Sequence, residues 1–354
     1  MGLFGGKKSK PLLGLDIGSS AVKAVELKKT KEGYELAAVG LEPLSPETVV
    51  DGAIIDGISV SNAIERIYQS QKVRTKDVAT SVSGHSVIIK KITLPLLEAD
   101  ELYDQVYADA GQYIPFDIAD VSLDYQVLKP TETGDGYEVL LVAVKRDKIN
   151  NYQSALIGAK LSLALVDVDA FALQNTFEIN YEPDTEATVA LLNIGASVMN
   201  INIIRGGVPL FTRDVSVGGN QYTDALQKEL ELSFEDAENL KKGQSVAGVG
   251  EDQKTSVLKS VSEILVLEIQ KTFDFFRASA GAQPISHIYA AGGAARTPGL
   301  LEMLREEFQM PVDEIDPFRR ITYNPGKFSD EYLREIAPRL AVSVGLGLRS
   351  FDEA

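Results

Sequence analysis

Hydrophobic and polar positions alternate along this chain in a pattern that occurs twice. Leu15-Asp16-Ile17-Gly18-Ser19-Ser20 returns as Leu192-Asn193-Ile194-Gly195-Ala196-Ser197. In each copy an apolar strand enters a turn of small residues and leaves as an alternating strand. In the first, Val22, Ala24 and Glu26 oppose Ala21, Lys23, Val25 and Leu27; in the second, Met199, Ile201 and Ile203 oppose Asn200, Asn202 and Ile204. The pattern predicts two β-hairpins with open, glycine-bearing tips, repeated about half a chain apart.

Alternation also predicts strands over 78–82, 87–94 and 161–168, and a pair over 122–129 and 137–145 joined at Thr133-Gly134-Asp135-Gly136. Helical spacing marks 98–114, 147–159, a segment beginning near Tyr222, 233–242 and 256–280. The last helix sets Leu258, Val261, Leu265, Ile269, Thr272 and Phe276 along one side, a core-packing face. Arg205-Gly206-Gly207-Val208-Pro209 reads as a turn into a strand over 210–217, and 243–254 as a glycine-rich loop. Near the C-terminus, 288–291 reads as a buried strand and Gly292-Gly293-Ala294-Ala295 as a turn. Thr297-Pro298 then reads as the cap and first position of a helix carrying Leu300, Leu301, Leu304 and Phe308 on one face.

Glycine at a hairpin tip lets main-chain N–H groups approach an anion, and neighbouring hydroxyls add donors. Two such tips facing each other would make a phosphate clamp, and a helix start beside a diglycine is a further anion site. Taken singly, each tip reads more readily as an ordinary tight hairpin, and the third loop equally as a plain strand-to-helix connection. The repetition is what favours the clamp.

Composition narrows the chemistry. At 354 residues and 44% hydrophobic content, the chain can form two domains or one fold built twice. A net charge of -16 gives no general attraction to nucleic acid or anionic lipid. The absence of cysteine removes thiol chemistry, and His85 and His287 lie too far apart in sequence to suggest a metal cluster or triad. No stretch approaches the ~20 apolar residues of a membrane span. Residues 1–10 lack a signal-peptide core and carry Gly6 where myristoylation prefers Ser or Thr. They are expected to form a mobile tail, with Lys7, Lys8 and Lys10 available to an acidic surface.

Two hairpins followed by a strand–Gly-Gly–helix unit resemble the actin, Hsp70 and sugar-kinase superfamily over nearly the whole chain. Residues 16–23 are similar to its phosphate-1 segment, 167–176 to connect-1, 193–197 to phosphate-2, 290–297 to the adenosine loop and 336–348 to connect-2. The inserted segment resembles subdomain 1C of the FtsA and PilM families. Gln112-Tyr113-Ile114-Pro115-Phe116-Asp117, with Asp124-Tyr125, and Gly14-Leu15-Asp16-Ile17-Gly18-Ser19-Ser20-Ala21-Val22-Lys23 resemble the PilM family specifically.

The resemblance implies an α/β, actin-like duplicated two-domain fold with ribonuclease H-like halves and an inserted FtsA-type 1C subdomain. Its expected divisions are the tail 1–10, subdomain 1A over 11–84, 1C over 85–160, a return to 1A over 161–184, 2A and 2B over 185–336, and a C-terminal helix over 337–354 returning to 1A.

ATP and Mg2+ are the implied cofactors, with Asp16 orienting the cation. Gly18, Ser19, Ser20 and Lys23 would hold the phosphates from one side, and Asn193, Gly195, Ala196 and Ser197 from the other, with Gly218 and Gly219 nearby. Gly292, Gly293 and Ala294 would lie against the base and α-phosphate. Glu238, Lys241 and Lys242 match positions that reach the ribose or adenine, although a solvated charged helix face explains them equally. Many relatives carry Asp where this chain has Asn193, and an amide supplies neither negative charge nor a base at neutral pH. Hydrolysis is therefore expected to be slow or absent, with no catalytic residue assigned; Gln174, Asp167 and Asp169 remain as groups that could position water.

The function implied is a cytoplasmic ATP-binding adaptor of type IV pilus assembly that captures the N-terminal cytoplasmic peptide of the inner-membrane protein PilN. Pilus assembly ATPases and the platform protein are further implied partners. No nucleic acid partner and no direct membrane insertion are expected, and a homo-oligomer stays open. An FtsA-like filament is the alternative, although the ending Arg349-Ser350-Phe351-Asp352-Glu353-Ala354 is acidic where FtsA-type chains carry a basic amphipathic helix. A small-molecule kinase ranks below both because the Asn193 segment lacks the carboxylate it would need.

Overall fold

A computed structural model describes residues 11–131, 134–182, 184–279 and 283–351. The expected tail at 1–10, Thr133 of the expected turn, the last residue of the helix expected to end at 280, and the acidic ending 352–354 lie outside the described residues.

The first half opens with β1 (Leu13–Ile17), β2 (Ala21–Thr30), β3 (Gly33–Pro43) and the short ribbon β4 (Val49–Val50) and β5 (Ala53–Ile54). Next come α1 (Gly57–Gln71), capped by the Asp56 side chain, and β6 (Asp77–Val82). An inserted block of β7 (Val87–Pro95), α2 (Ala99–Tyr113), β8 (Val121–Pro130), β9 (Gly136–Lys145) and α3 (Arg146–Gly158) intervenes before β10 (Ser162–Val168) and α4 (Asp169–Tyr181). The second half runs β11 (Thr188–Ile194), β12 (Met199–Arg205), β13 (Val208–Val215), α5 (Gly219–Leu230), α6 (Phe234–Lys241), α7 (Glu251–Ser279) and β14 (Ile285–Ala291). It continues through α8 (Leu300–Phe308), β15 (Val312–Glu314), β16 (Ile321–Thr322), α9 (Asp330–Ile336) and α10 (Ala341–Leu348).

The same mixed sheet is built twice. One sheet has the order β10-β6-β1-β2-β3-β16 and the other β13-β12-β11-β14-β15. Each has three antiparallel strands meeting two parallel ones, and the first adds β16, parallel to β3, at its edge: β1 pairs β2 antiparallel and β6 parallel, as β11 pairs β12 and β14. This is the duplicated α/β architecture expected from the repeated hairpin. Strand β11 is buried along almost its whole length, as expected of a central strand covered on both faces.

Met199, Ile201 and Ile203 of β12 join the core against α5, α6 and α7. Asn200 and Asn202 point the other way and are buried, so each needs partners. Asn202 Nδ2 finds the Ala170 carbonyl and Gln174 Oε1, both at 3.1 Å, on α4. The inserted block has its own three-stranded sheet, β7-β9-β8, with Leu102, Val106 and Ala110 of α2 packed on it. Helix α3 instead contributes Tyr152, Ala155 and Leu156 to the core shared with α1 and the first sheet.

Three local expectations change. Gly206 and Gly207 both take positive φ, 55° and 76°, so they alone close the β12–β13 hairpin, and β13 starts at Val208 rather than 210. Helix α7 begins at Glu251, inside the stretch expected as a loop. Thr297 does not cap α8. A 3₁₀ turn, Gly293–Arg296, starts at the second glycine of the pair and Thr297 closes it through its N–H to the Ala294 carbonyl, while Gly299 at φ 84° redirects the chain into α8.

Candidate functional site

The two hairpin tips match at the level of single hydrogen bonds. Gly18 N–H donates to the Ala21 carbonyl at 3.1 Å, and Gly195 N–H donates to the Val198 carbonyl at 3.0 Å. Asp16 faces Lys23 across β1–β2 at the register position where Asn193 faces Asn200 across β11–β12. The first pair is ionic, with Lys23 Nζ 2.8 Å from Asp16 and both side chains mostly buried. The second is neutral: Asn193 Nδ2 donates to Asn200 Oδ1 at 2.8 Å. Ser19 and Ser197 are both partly exposed at the tips, and Ser20 is exposed.

The second half gathers the other expected residues around its own hairpin. Gly219 N–H donates to the Gly195 carbonyl at 2.9 Å, Asn220 N–H to the Ala196 carbonyl at 2.8 Å, and Asn220 Nδ2 to Ser197 Oγ at 3.1 Å. Gly218 N–H is taken by Gln221 Oε1 at 2.7 Å. Gly218 and Gly219 thus bring close approach to the cleft; their amide hydrogens are already used.

A Cβ placed on Gly219 would lie 3.3 Å from the Ala294 methyl and 3.6 Å from Lys241 Nζ, which puts the diglycine turn, α5 and α6 on one spot. Gly292 takes φ +90°, and a Cβ there would come within 2.3 Å of the Ile194 carbonyl oxygen, so the turn rides directly on the end of β11. The Arg339 stem lies against Gly293, and Gly292 N–H donates to the Pro338 carbonyl at 2.8 Å.

Glu238 and Lys241 turn inward from α6. Lys241 donates to Glu238 Oε1 and, at 2.8 Å, to Thr223 Oγ1, which also bonds Glu238 at 2.6 Å. Burial works against both charges. It pulls Lys241 down despite Glu238, whereas Glu238 is held below its ordinary value by Lys241 and Thr223; the donor geometry is that of an ion pair. Lys242 is 58% exposed and stands 3.7 Å from Glu238.

The two halves meet at Asp214 of β13, which accepts from Gly84 N–H of the first half. Asp169, the first residue of α4, keeps some accessible surface but is enclosed by protein. Burial and then the Asp16 charge push its carboxyl up to about 6, with the nearby Ser81 and Ser83 hydroxyls opposing and Asp214 adding. Asp16 from one hairpin and Asp214 from the other sheet therefore act on one carboxyl. Asp214 takes hydrogen bonds from Asn200 Nδ2 at 2.8 Å and from Gly84 N–H at 2.5 Å.

Of the water-positioning candidates, Asp167 lies 3.4 Å from Arg349. Gln174 is spent on Glu178 and the Gly207 carbonyl, both at 2.8 Å, and on Asn202. Only Asp169 of the three stands beside Asp16. Asp214, Thr223 and Arg339 went unrecognised in the sequence. Asn200, alternating with apolar residues in β12, was the available signal for Asp214, since a buried amide there needs polar partners.

Ionising Asp169 costs the fold. Its pKa in the folded chain lies above the unfolded value, so the penalty develops as pH rises from about 4 to about 6 and is complete above that. Asp169→Asn removes it and should stabilise the nucleotide-free protein by up to about 3 kcal/mol at pH 7.5, with no gain at pH 4. Denaturant melts at the two pH values check this; an equal gain at both would place the effect outside Asp169 ionisation.

A family model described as type IV pilus assembly protein PilM matches residues 14–351. The solved PilM–PilN type IV pilus biogenesis complex is similar to this chain with a TM-score of 0.87 and 27% identity, covering 97% of this chain and 99% of that one. MreB5 of Spiroplasma citri bound to ADP shares the fold, with a TM-score of 0.55 and 14% identity over 96% and 95% of the two chains. Cell division protein FtsA of Pseudomonas aeruginosa is 21% identical over 351 residues, 86% of this chain and 83% of the relative. The duplicated sheet is thus the actin-like two-domain fold, and with a family match spanning both halves and the inserted block, this chain belongs to the PilM family of type IV pilus assembly proteins.

Proposed function

We propose that this chain is an ATP-binding adaptor of type IV pilus assembly, working in the cytoplasm and held at the inner membrane by capturing the N-terminal cytoplasmic peptide of PilN. The observation that carries the nucleotide half is the pair of matched hairpins on two copies of one sheet, with Asp16 of one half and Asp214 of the other both near enough to Asp169 to raise its carboxyl. The partner half rests on family membership and on likeness to a chain solved as a PilM–PilN complex. Among the described residues no helix is long and apolar enough to cross a membrane, which suits attachment through a partner.

The triphosphate would lie between the Gly18–Ser20 and Gly195–Ser197 tips, with the nucleoside against Gly219, Gly293 and Ala294 and the Glu238–Lys241 pair alongside. Among the described residues no group of three or more Asp, Glu or His is disposed to hold a metal ion. A Mg2+ that arrives on phosphates needs only one or two carboxylates and keeps several waters. Asp16 and Asp169 fit that requirement; the ion would neutralise phosphate charge and relieve the repulsion between these carboxylates. Asn193 is bonded through Nδ2 to Asn200 and supplies no base, so ATP acts as a clamp with little or no turnover.

Fluorescence anisotropy with a labelled peptide of the PilN N-terminus tests the adaptor role. Saturable binding to the full chain, tighter with Mg-ATP than without nucleotide, is expected. No binding under either condition would remove PilN as the partner.

A further inference from the structure

We propose that Asp214 is a positioning residue that couples the nucleotide cleft to the root of the inserted block. The inference rests on nucleotide occupying the cleft and goes beyond it by naming the route through which occupancy is felt.

Asp214 stands between two parts of the molecule that are distant in sequence. One carboxylate oxygen accepts from Asn200 Nδ2 at 2.8 Å, and the other accepts from Gly84 N–H at 2.5 Å. Gly84 lies in the link from β6 to β7, where the chain enters the inserted block. The preceding residue, Ser83, accepts at its carbonyl from Lys148 Nζ at 2.5 Å, and Lys148 sits in the first turn of α3, where the chain leaves the three-stranded sheet of the block. Entry and exit are therefore fastened to one dipeptide, Ser83-Gly84, and Asp214 fastens that dipeptide to the second half. Lys145 N–H to the Ser86 carbonyl at 3.1 Å and Val87 N–H to the Gly84 carbonyl at 3.0 Å stiffen the same corner.

On the cleft side the chain of contacts has a fixed direction. A carboxylate can only accept, so Asn200 must offer its NH2 to Asp214 and turn its oxygen toward Asn193. Asn193 must then offer its own NH2 to that oxygen, as observed at 2.8 Å. The remaining polar atom of Asn193 is its Oδ1, an acceptor suited to a water on a phosphate-bound cation. Asn193 thus keeps a role in the hairpin despite lacking charge, and Asp214 is the group that sets its orientation. An amide at 214 can keep Gly84 only by turning its NH2 toward Asn200, which reverses both asparagines and presents the NH2 of Asn193 in place of its Oδ1.

When Asn193 is drawn by bound nucleotide, the displacement passes through Asn200 and Asp214 to Gly84, because each step is a short hydrogen bond and the central link, Asn200, is buried between partly buried neighbours. Buried polar networks of this kind behave as units. The inserted block is gripped at the corner that moves.

Amide hydrogen exchange on the full chain, with and without Mg-ATP, reads this directly. In the unaltered protein ATP should slow exchange at both hairpins and also over residues 83–86, by about fivefold or more at the latter, the low end of usual coupling between sites. Asp214→Ala also releases Asn193 and should weaken nucleotide binding, so it is read at a Mg-ATP concentration raised until the hairpins are protected, where 83–86 should stay unprotected; Asp214→Leu, similar in size and unable to accept a hydrogen bond, serves if the alanine variant does not fold. Protection at 83–86 persisting in the variant would overturn the inference, as would protection in the unaltered protein that stops at the hairpins. No protection at the hairpins of the unaltered protein would instead overturn the nucleotide reading on which it rests.

Discussion

Replacing Asp16 with alanine is expected to weaken Mg-ATP binding by about 100-fold, equivalent to about 2.7 kcal/mol, while the protein stays folded. Asp16 is the carboxylate of the first hairpin that lies near Asp169, and its side chain is only 14% exposed, so what replaces its charge is not bulk water. Its present partner is Lys23 at 2.8 Å. Removing Asp16 frees that ammonium to pair with phosphate, which offsets part of the loss for ATP without metal. The loss should therefore be several-fold larger for Mg-ATP than for ATP in a chelator, and this difference isolates the cation. Stability should also fall, since the two side chains are only 13% and 14% exposed and the shielded Lys23 ammonium loses its carboxylate, so binding is compared under conditions where the variant is folded. Calorimetric titration under both conditions decides: unchanged Mg-ATP affinity would remove Asp16 from the site, and equal losses in both would remove it from the cation.

The largest structural effect should come from Gly345→Ala. Helix α10 crosses α4 with backbone against backbone: a Cβ at 345 would lie 1.8 Å from the Ala172 carbonyl oxygen and 2.5 Å from its carbon. Neither atom can swing aside as a side-chain end could, so the helices must separate. Helix α10 also packs on β1, where a Cβ on Gly14 would meet the Ser343 carbonyl oxygen at 2.2 Å. The layer cannot give in one direction without opening the other.

A loss of about 3 kcal/mol or more is expected, beyond ordinary overpacking because backbone atoms take the strain. Gly347→Ala is the control. Its nearest neighbours would be the Val25 carbonyl oxygen at 3.3 Å and the Leu27 side chain at 3.4 Å, and a loss near 1 kcal/mol is expected. Chemical denaturation of both variants tests the pair; a Gly345→Ala protein as stable as Gly347→Ala would mean the crossing is looser than drawn.

The repeated hairpin was legible in the sequence because a duplicated sheet leaves the same alternation in both copies, and Gly18 and Gly195 close their turns with the same bond. The third loop was legible as a diglycine turn but not as a 3₁₀ turn. Thr297-Pro298 has the composition of a helix cap, and only the contact of Gly292 with Ile194 shows why the chain needs an extra turn before α8. Charged residues on α6 could not be sorted by spacing alone. Glu238 and Lys241 turn inward because Thr223 on α5 meets them, a contact between helices that no local period contains.

Asp214 was hidden for a related reason. Its partners are Asn200, one strand over, and Gly84, 130 positions earlier. The buried asparagines of β12 announce that polar partners exist, but the fold decides which residues they are.

A crystal structure of the full chain with Mg2+ and a non-hydrolysable ATP analogue tests most directly whether both hairpins hold one nucleotide. Triphosphate density spanning the two tips, within hydrogen-bonding reach of Ser19 or Ser20 on one side and Ala196 or Ser197 on the other, is the result expected. Nucleotide bound at any other surface, or touching a single hairpin with the opposing tip turned away, would contradict it.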